Sequence, residues 1–285
     1  MKKKVLSALL SVAMVATLLV GCGSSAETET AAPAEEAGEA AAPAEDAAPA
    51  EDAGEAAAPA GDSGAGKKIA LCMPTQSSER WINDCANMKS QLEALGYEVL
   101  DQFAEDDVQQ QVSQVENMIA QNVDCLVIAA VDSGALTTVE AAAKEAGIPI
   151  IAYDRLLMDT DAVSYYATFD NYKVGVTQGQ YIVDTLDLDN AEGPFNLEIT
   201  AGDPGDNNAP FFYNGAMDTL KPYIESGKLV VKSGQTEFEE VGTPQWKTET
   251  AQSRADNIIS SFYADGTNID VWLCSNDSTA LGVET

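Results

Sequence analysis

Arg80 and Trp81 stand side by side a few residues after the apolar run 69–73, and Asp154 and Arg155 stand together where the run Pro-Ile-Ile-Ala-Tyr ends. A guanidinium offers a fork of N–H donors to adjacent hydroxyls, and an indole face covers the C–H side of a hydroxylated ring. An acid beside such a fork accepts from one hydroxyl while the fork donates to the next. Further along, Asp203-Pro204-Gly205-Asp206-Asn207-Asn208 separates an apolar run from an amphipathic segment. A helix N-cap accounts for one of its Asx residues, and the remaining carboxylate and amides make a dense hydrogen-bonding loop. Trp246 opens a later helical segment and can supply a second aromatic wall, and Asn276-Asp277 again follow an apolar run. Each residue also has a plainer use. The tryptophans can pack in the core, Arg80 can sit in a solvated turn, Asp154 and Arg155 can form a structural ion pair, and Asn276 can cap a helix. From the residues alone both readings stay open.

Composition narrows the chemistry. The chain has no His, so Ser-His-Asp and Cys-His nucleophile systems and His-containing metal sites are excluded, while carboxylate-only chemistry survives. From residue 67 onward 12 basic side chains face 35 acidic ones, a net charge of −23. Such a field repels polyanions, so nucleic acid is not a partner and a neutral ligand is the natural expectation. Cys72, Cys85, Cys125 and Cys274 show no C-x-x-C spacing and read as small buried hydrophobes rather than disulfides. Asp187-Leu188-Asp189-Asn190 starts like a calcium loop but has Glu192 where the loop needs Gly, so it reads as a solvated turn. No phosphate-cradling glycine loop is present. No metal or cofactor is expected.

The elements that must position these residues follow from periodicity. Strands are predicted near 69–73, 98–103, 125–130 and 149–154, with helices near 79–95, 107–122 and 136–146. This βα alternation implies a parallel sheet covered on both faces. A strand at 164–169 leads into Asp170-Asn171, and the pattern restarts: helix 173–186, strand 195–201, helix 209–226, strand 229–233, helix 245–263, strand 271–275. The prediction is an α/β protein of two doubly wound lobes, 67–170 and 171–285, joined by a hinge near Asp170 with a cleft at the carboxyl ends of both sheets. Apart from Trp246, which opens a helix, the polar and aromatic candidates fall at those strand ends. The second lobe has three strands of its own and the sequence stops at Thr285, so that lobe is expected to be incomplete.

The N-terminus carries an address. Lys2-Lys3-Lys4 precede an apolar stretch too short for the roughly 20 residues of a membrane span, and it closes on Leu-Val-Gly-Cys22. The Cys resembles a lipobox Cys, which implies removal of residues 1–21 and acylation of Cys22. Residues 23–66 hold eleven acids and no base in near-repeats broken by Pro33, Pro43, Pro49 and Pro59. Such a composition has no apolar set to bury, and 22–66 is expected to be an extended acidic tether.

Several stretches together resemble one family. E-R-W (79–81), Q-V-S-Q-V-E-N-M-I-A-Q-N-V-D-C-L-V-I-A-A (111–130), I-A-Y-D-R (151–155), Y-Y-A-T-F-D-N-Y-K-V-G (165–175), D-N-N-A (206–209) and F-F-Y-N-G-A-M (211–217) look like the multiple-sugar and xylose-binding proteins of bacterial ABC importers, in the type I periplasmic-binding-protein superfamily. The resemblance covers 67–285. It implies a pyranose held between two aromatic rings: Arg80, Asp154 and Arg155 binding hydroxyls from the first lobe, Asp206, Asn208 and Asn276 from the second, and Trp81 and Trp246 stacking. Asn207 and Asp277 are implied neighbours that cap helices or support the site.

Implied with it are a monosaccharide ligand, an ABC permease as partner, membrane attachment through the lipid anchor, an extracytoplasmic location, and capture instead of catalysis. Family members continue further, with a G-Q-D-A-like loop and two more crossovers, so the chain looks truncated at its C-terminus. A sugar-sensing protein serving a membrane chemoreceptor or kinase is the nearest alternative. A repressor core is opposed by the export signal and the lack of a DNA-binding head. A carboxylate glycosidase would need two acids flanking one bond.

Overall fold

The apolar runs of the first half pair as parallel strands. β1 (Lys68–Met73), β2 (Glu98–Phe103), β3 (Cys125–Ile128), β4 (Ile150–Tyr153) and β5 (Val163–Ala167) form one sheet in the order β2-β1-β3-β4-β5. The structure, a computed structural model, describes residues 64–285. The central strands read as continuous hydrophobic runs because helices cover both faces. On one side α1 (Glu79–Ala94) lays Trp81 and Cys85 against Leu71, Met73 and Val127. On the other, α2 (Val108–Ala120) and α3 (Thr137–Glu145) bring Val115, Met118 and Val139 onto Ala70, Leu126 and Ile128. Asp107 caps α2 by accepting from the N–H groups of Gln109 and Gln110 at 2.8 and 3.0 Å, and Gly96 follows the end of α1 at φ 91°, the left-handed position that glycine fills without strain.

After β5 the chain passes through 168–170 into the second body. There α4 (Asn171–Thr185), β6 (Phe195–Thr200), α5 (Ala209–Glu225), β7 (Leu229–Val230), α6 (Phe238–Val241), α7 (Thr248–Phe262), β8 (Val271–Cys274) and α8 (Asp277–Glu284) follow in order. The strands pair in parallel as β7-β6-β8. Cys72 and Cys85 are buried, Cys125 and Cys274 are half-buried, and all four are unpaired. Burial pushes the Cys72 thiol up to about 12.

Three local expectations are corrected. The strand expected over 229–233 stops at Val230, because Ser233 turns back to donate its N–H and hydroxyl to the buried carboxylate of Glu198 at 3.0 and 2.6 Å. The short helix α6 has no counterpart among the expected elements. The helix expected from 245 begins at Thr248, since Gln245 and Trp246 adopt left-handed backbone at φ 59° and 56°. Residues 64–66 belong to the folded body, for the Gly64 N–H donates to Leu95 O at 3.1 Å. The signal segment 1–21, Cys22 and the acidic stretch to 63 lie outside the described residues.

The helices α4 and α5 approach through glycines. A Cβ on Gly175 would come within 2.1 Å of Phe212 O, and one on Gly215 within 2.1 Å of Tyr172 O. This contact ties the segment leaving the first sheet to the helix that starts at the Asn208 loop. Gly175→Ala or Gly215→Ala would force the helices apart, and overpacking of this kind costs about 1–3 kcal/mol. Urea unfolding should show that loss in either variant, and an unchanged midpoint would mean that the helices are free to separate.

Candidate binding site between the sheets

The carboxyl ends of β1, β4, β6 and β8 converge on a cavity of about 270 Å³. Eight of the ten candidates line it: Arg80, Trp81, Asp154 and Arg155 from the first body, Asp206, Asn208, Trp246 and Asn276 from the second. Asn207 and Asp277 do not. Asn207 turns its backbone N–H to the Ser133 hydroxyl at 3.2 Å, and Asp277 is exposed in the first turn of α8.

On the first side the backbone turns sharply after β4, with Asp154 at φ 63°. Its carboxylate grips the Arg80 guanidinium through both terminal nitrogens, at 3.2 and 3.0 Å. Arg80 Nε reaches Asp84 at 3.2 Å, and Asp84 also accepts from the Tyr153 hydroxyl at 3.1 Å. The guanidinium is therefore held by two carboxylates before any ligand contact. Both Arg80 and Arg155 place their guanidinium carbon over the Trp81 ring, at 4.5 and 5.2 Å from its centroid. Trp81 is at once a core residue beneath α1 and a wall of the cavity.

Across the cleft, Arg155 Nε lies 3.0 Å from Asp206 Oδ2, both side chains being nearly inaccessible. The Nε–H is not aligned on that oxygen, so the attraction is Coulombic. The directed bonds of Arg155 run from Nη1 to Ala130 O at 2.7 Å. Asp206 accepts from Trp246 Nε1 at 3.1 Å and from the Asn208 N–H at 2.9 Å. Burial nevertheless raises the Asp206 carboxyl above its ordinary value, with Arg155 acting in the opposite direction.

Asn208 is 2 % exposed and much of its amide is already used. Nδ2 donates to Asp154 O at 2.9 Å, and Oδ1 accepts from Asn171 Nδ2 at 2.8 Å and the Tyr166 hydroxyl at 3.3 Å. Asn208 is the N-cap residue of α5 but makes no side-chain cap. Asn276 does cap α8, its Oδ1 accepting from the Thr279 N–H at 2.9 Å, while still lining the cavity; the two uses coexist.

Sequence reasoning passed over several residues. Phe212, within the F-F-Y-N-G-A-M stretch, meets Trp246 edge-on at 6.3 Å and lines the cavity. Gly202 makes room for the indole, since a Cβ there would come within 1.9 Å of it. Thr75, Gln245 and Lys247 also line the cavity, and no local pattern marks them.

Residues 69–285 match the family described as periplasmic binding protein domain. The chain belongs to that family. Over 215 residues it is 51% identical to the multiple sugar-binding periplasmic protein SbpA of Azospirillum brasilense, covering 75% of this chain and 60% of that protein. It is 37% identical to the D-xylose-binding periplasmic protein of Escherichia coli, again covering 75% of this chain and 60% of the relative. An ABC transporter solute-binding protein from Clostridium phytofermentans, solved with β-D-glucose, is 61% identical with a TM-score of 0.75, the match covering 76% of this chain and 67% of that one. A carbohydrate transporter solute-binding protein from Chloroflexus aurantiacus, solved with D-glucose, is 32% identical with a TM-score of 0.68, covering 76% and 68%. The chain spans about 60% of the length of the curated relatives it matches. Its fold is the type I periplasmic binding fold, with parallel sheets in both bodies.

The Arg155–Asp206 pair yields a pH test. Arg155→Met leaves a buried carboxylate without its cation, and breaking such a pair costs about 3–5 kcal/mol. Asp206, already raised by burial, would rise further. A carboxyl raised above its unfolded value destabilises the fold where it is ionised, at pH above its folded value, and the penalty fades as pH falls through that value. Thermal unfolding should thus show a large deficit for Arg155→Met at pH 8 that narrows toward pH 5. A deficit independent of pH would mean that Asp206 does not carry the effect.

Proposed function

We propose that this protein captures a monosaccharide, an aldopentose or aldohexose, in the cavity between its two sheets, for delivery to an ABC permease. The observation that carries this is the lining. Three cations (Arg80, Arg155, Lys247), three carboxylates (Asp154, Asp206, Glu249), the amides of Asn208, Gln245 and Asn276 and two indoles surround a space of about 270 Å³, in a family whose relatives are named for sugar binding and solved with glucose. That volume lies just under the roughly 300–1,000 Å³ of drug-sized ligand pockets, which suits one sugar ring and not a chain. The acidic surface of the protein and the charge-paired cavity both favour an uncharged ligand.

Arg80 and Arg155 donate to hydroxyls while Asp154 and Asp206 accept from them, and the amides of Asn208 and Asn276 complete the set. Trp81 and Trp246 cover the apolar faces of the ring. Each carboxylate–guanidinium pair can accept from one hydroxyl and donate to the next. Selectivity follows because a missing hydroxyl leaves a buried group unpaired. The cycle is capture, closure of the two bodies about 168–170, and recognition of the closed form by the permease. No catalytic step is involved. The N-terminal sequence supports acylation at Cys22, which would hold the protein on the outer face of the cell membrane, with the acidic stretch as tether.

Thermal unfolding of the full chain across a panel including D-glucose and D-xylose tests the reading. A sugar at 100 times its dissociation constant should add about 2.7 kcal/mol, and no shift with any monosaccharide would overturn it. Binding should also change tryptophan emission. In Trp81→Ala/Trp246→Ala both the change and most of the affinity should vanish, because the remaining Trp272 donates to Thr200 Oγ1 at 2.9 Å outside the cavity. Unchanged affinity in that variant would remove the two indoles from the site.

A further inference from the structure

We propose that Gln245 is a positioning residue that clasps the two bodies together at the rim of the cleft farthest from the connection at 168–170. This rests on the sugar-capture reading above and assigns one residue within it.

The argument begins with sheet order. In β2-β1-β3-β4-β5 the chain leaves for the second body after β5, at one edge. The loop after β2 is at the opposite edge, four strand spacings or about 19 Å away. Opening about 168–170 moves that rim most. There Gln245 Nε2, from the second body, donates to Asp106 O of the first at 2.9 Å. Asp106 is itself fixed: its N–H donates to Pro74 O at 3.0 Å and its carboxylate accepts from the Thr75 hydroxyl at 3.2 Å.

Both sides of this contact are built from left-handed backbone. Glu105 and Asp106 have φ of 52° and 61°, and Gln245 and Trp246 have φ of 59° and 56°. Two consecutive non-glycine residues in this region are uncommon, and such strain persists where surrounding structure imposes it, often at ligand clamps. The step at Gln245-Trp246 does two things at once. It aims the Gln245 amide across the cleft, and it turns the Trp246 ring into the wall, where Nε1 reaches Asp206. Closing the rim and setting the aromatic wall are therefore one backbone event. Gln245 acts late, since its acceptor is within reach only when the rim is shut. Removing its amide should speed opening and leave encounter with the ligand unaffected.

The test uses stopped-flow tryptophan emission on the full chain with D-glucose and D-xylose. Gln245→Ala should raise the dissociation rate about fivefold, the equivalent of one ordinary hydrogen bond, with the association rate unchanged. Gln245→Asn tolerates left-handed backbone but is one methylene too short, so it separates loss of the bond from loss of the turn and should dissociate as fast. The factor should be equal for D-glucose and each of its monodeoxy analogues. A factor that vanishes with one analogue would make Gln245 a direct sugar contact and overturn the clasp, as would wild-type dissociation in both variants.

A sugar-free arm separates this from the parent reading. The Ser133 N–H donates to Gly205 O across the cleft at 3.0 Å, remote from Gln245 in sequence. In Gln245→Ala its hydrogen exchange should quicken severalfold without any ligand, and unchanged exchange there counts against the clasp. Absence of sugar binding by the wild type would overturn the capture reading while leaving this measurement to decide the clasp.

Discussion

Arg155 and Asp206 place opposite charges 3.0 Å apart in a nearly inaccessible position, one from each body. Such a pair stabilises only where the remaining polar atoms find partners, because desolvating two ions costs several kcal/mol each. The surrounding architecture can be understood as that provision. The carboxyl end of β3 lends Ala130 O to the guanidinium, and the loop after β6 lends the Asn208 N–H to the carboxylate. Trp246, far along the chain, is turned by left-handed backbone so that its Nε1 reaches the same carboxylate. Without those bonds the charges would not remain buried and the cleft would have no charged floor.

A second knot joins this floor to the connection between the bodies. The carbonyl of Asp154 accepts from Tyr166, Thr168 and Asn208. Tyr166 and Thr168 sit at the end of the first sheet, and Asn208 begins the helix that packs on α4. The side chain of Asp154 meanwhile grips Arg80. One residue thus touches the cavity with its carboxylate and the connection with its carbonyl, so a change at either is felt at the other through a single peptide. This is why left-handed backbone is tolerated at Asp154: the conformation aims both groups, and three donors hold it there.

The architecture was largely legible because a buried parallel strand leaves a strong trace. The run 98–103 coincides with β2, and Gly96 and Gly147 stop their helices where left-handed backbone was needed. What failed were places where a side chain partner overrides local pattern. Residues 229–233 look like a strand, yet Ser233 is drawn to Glu198. Residues 245–263 look like one helix, yet the first turn is bent so that Trp246 can reach Asp206. In both cases the deciding partner lies tens of residues away, outside any sequence window.

The same reasoning explains which cavity-lining residues are conspicuous in the sequence. Strand ends in an α/β fold face the cleft, so an acid, amide, guanidinium or indole at such a position is conspicuous, and all eight proposed contacts line the cavity. Gln245 and Gly202 had no such signal. Glutamine after proline looks like the start of a helix, and glycine after Ala201 looks like the end of a strand. Their roles exist only relative to Asp106 and to the Trp246 ring. Residues that present chemistry can be read from type and position. Residues that shape the space around that chemistry become visible only once the two bodies are in place, since what they act on is each other.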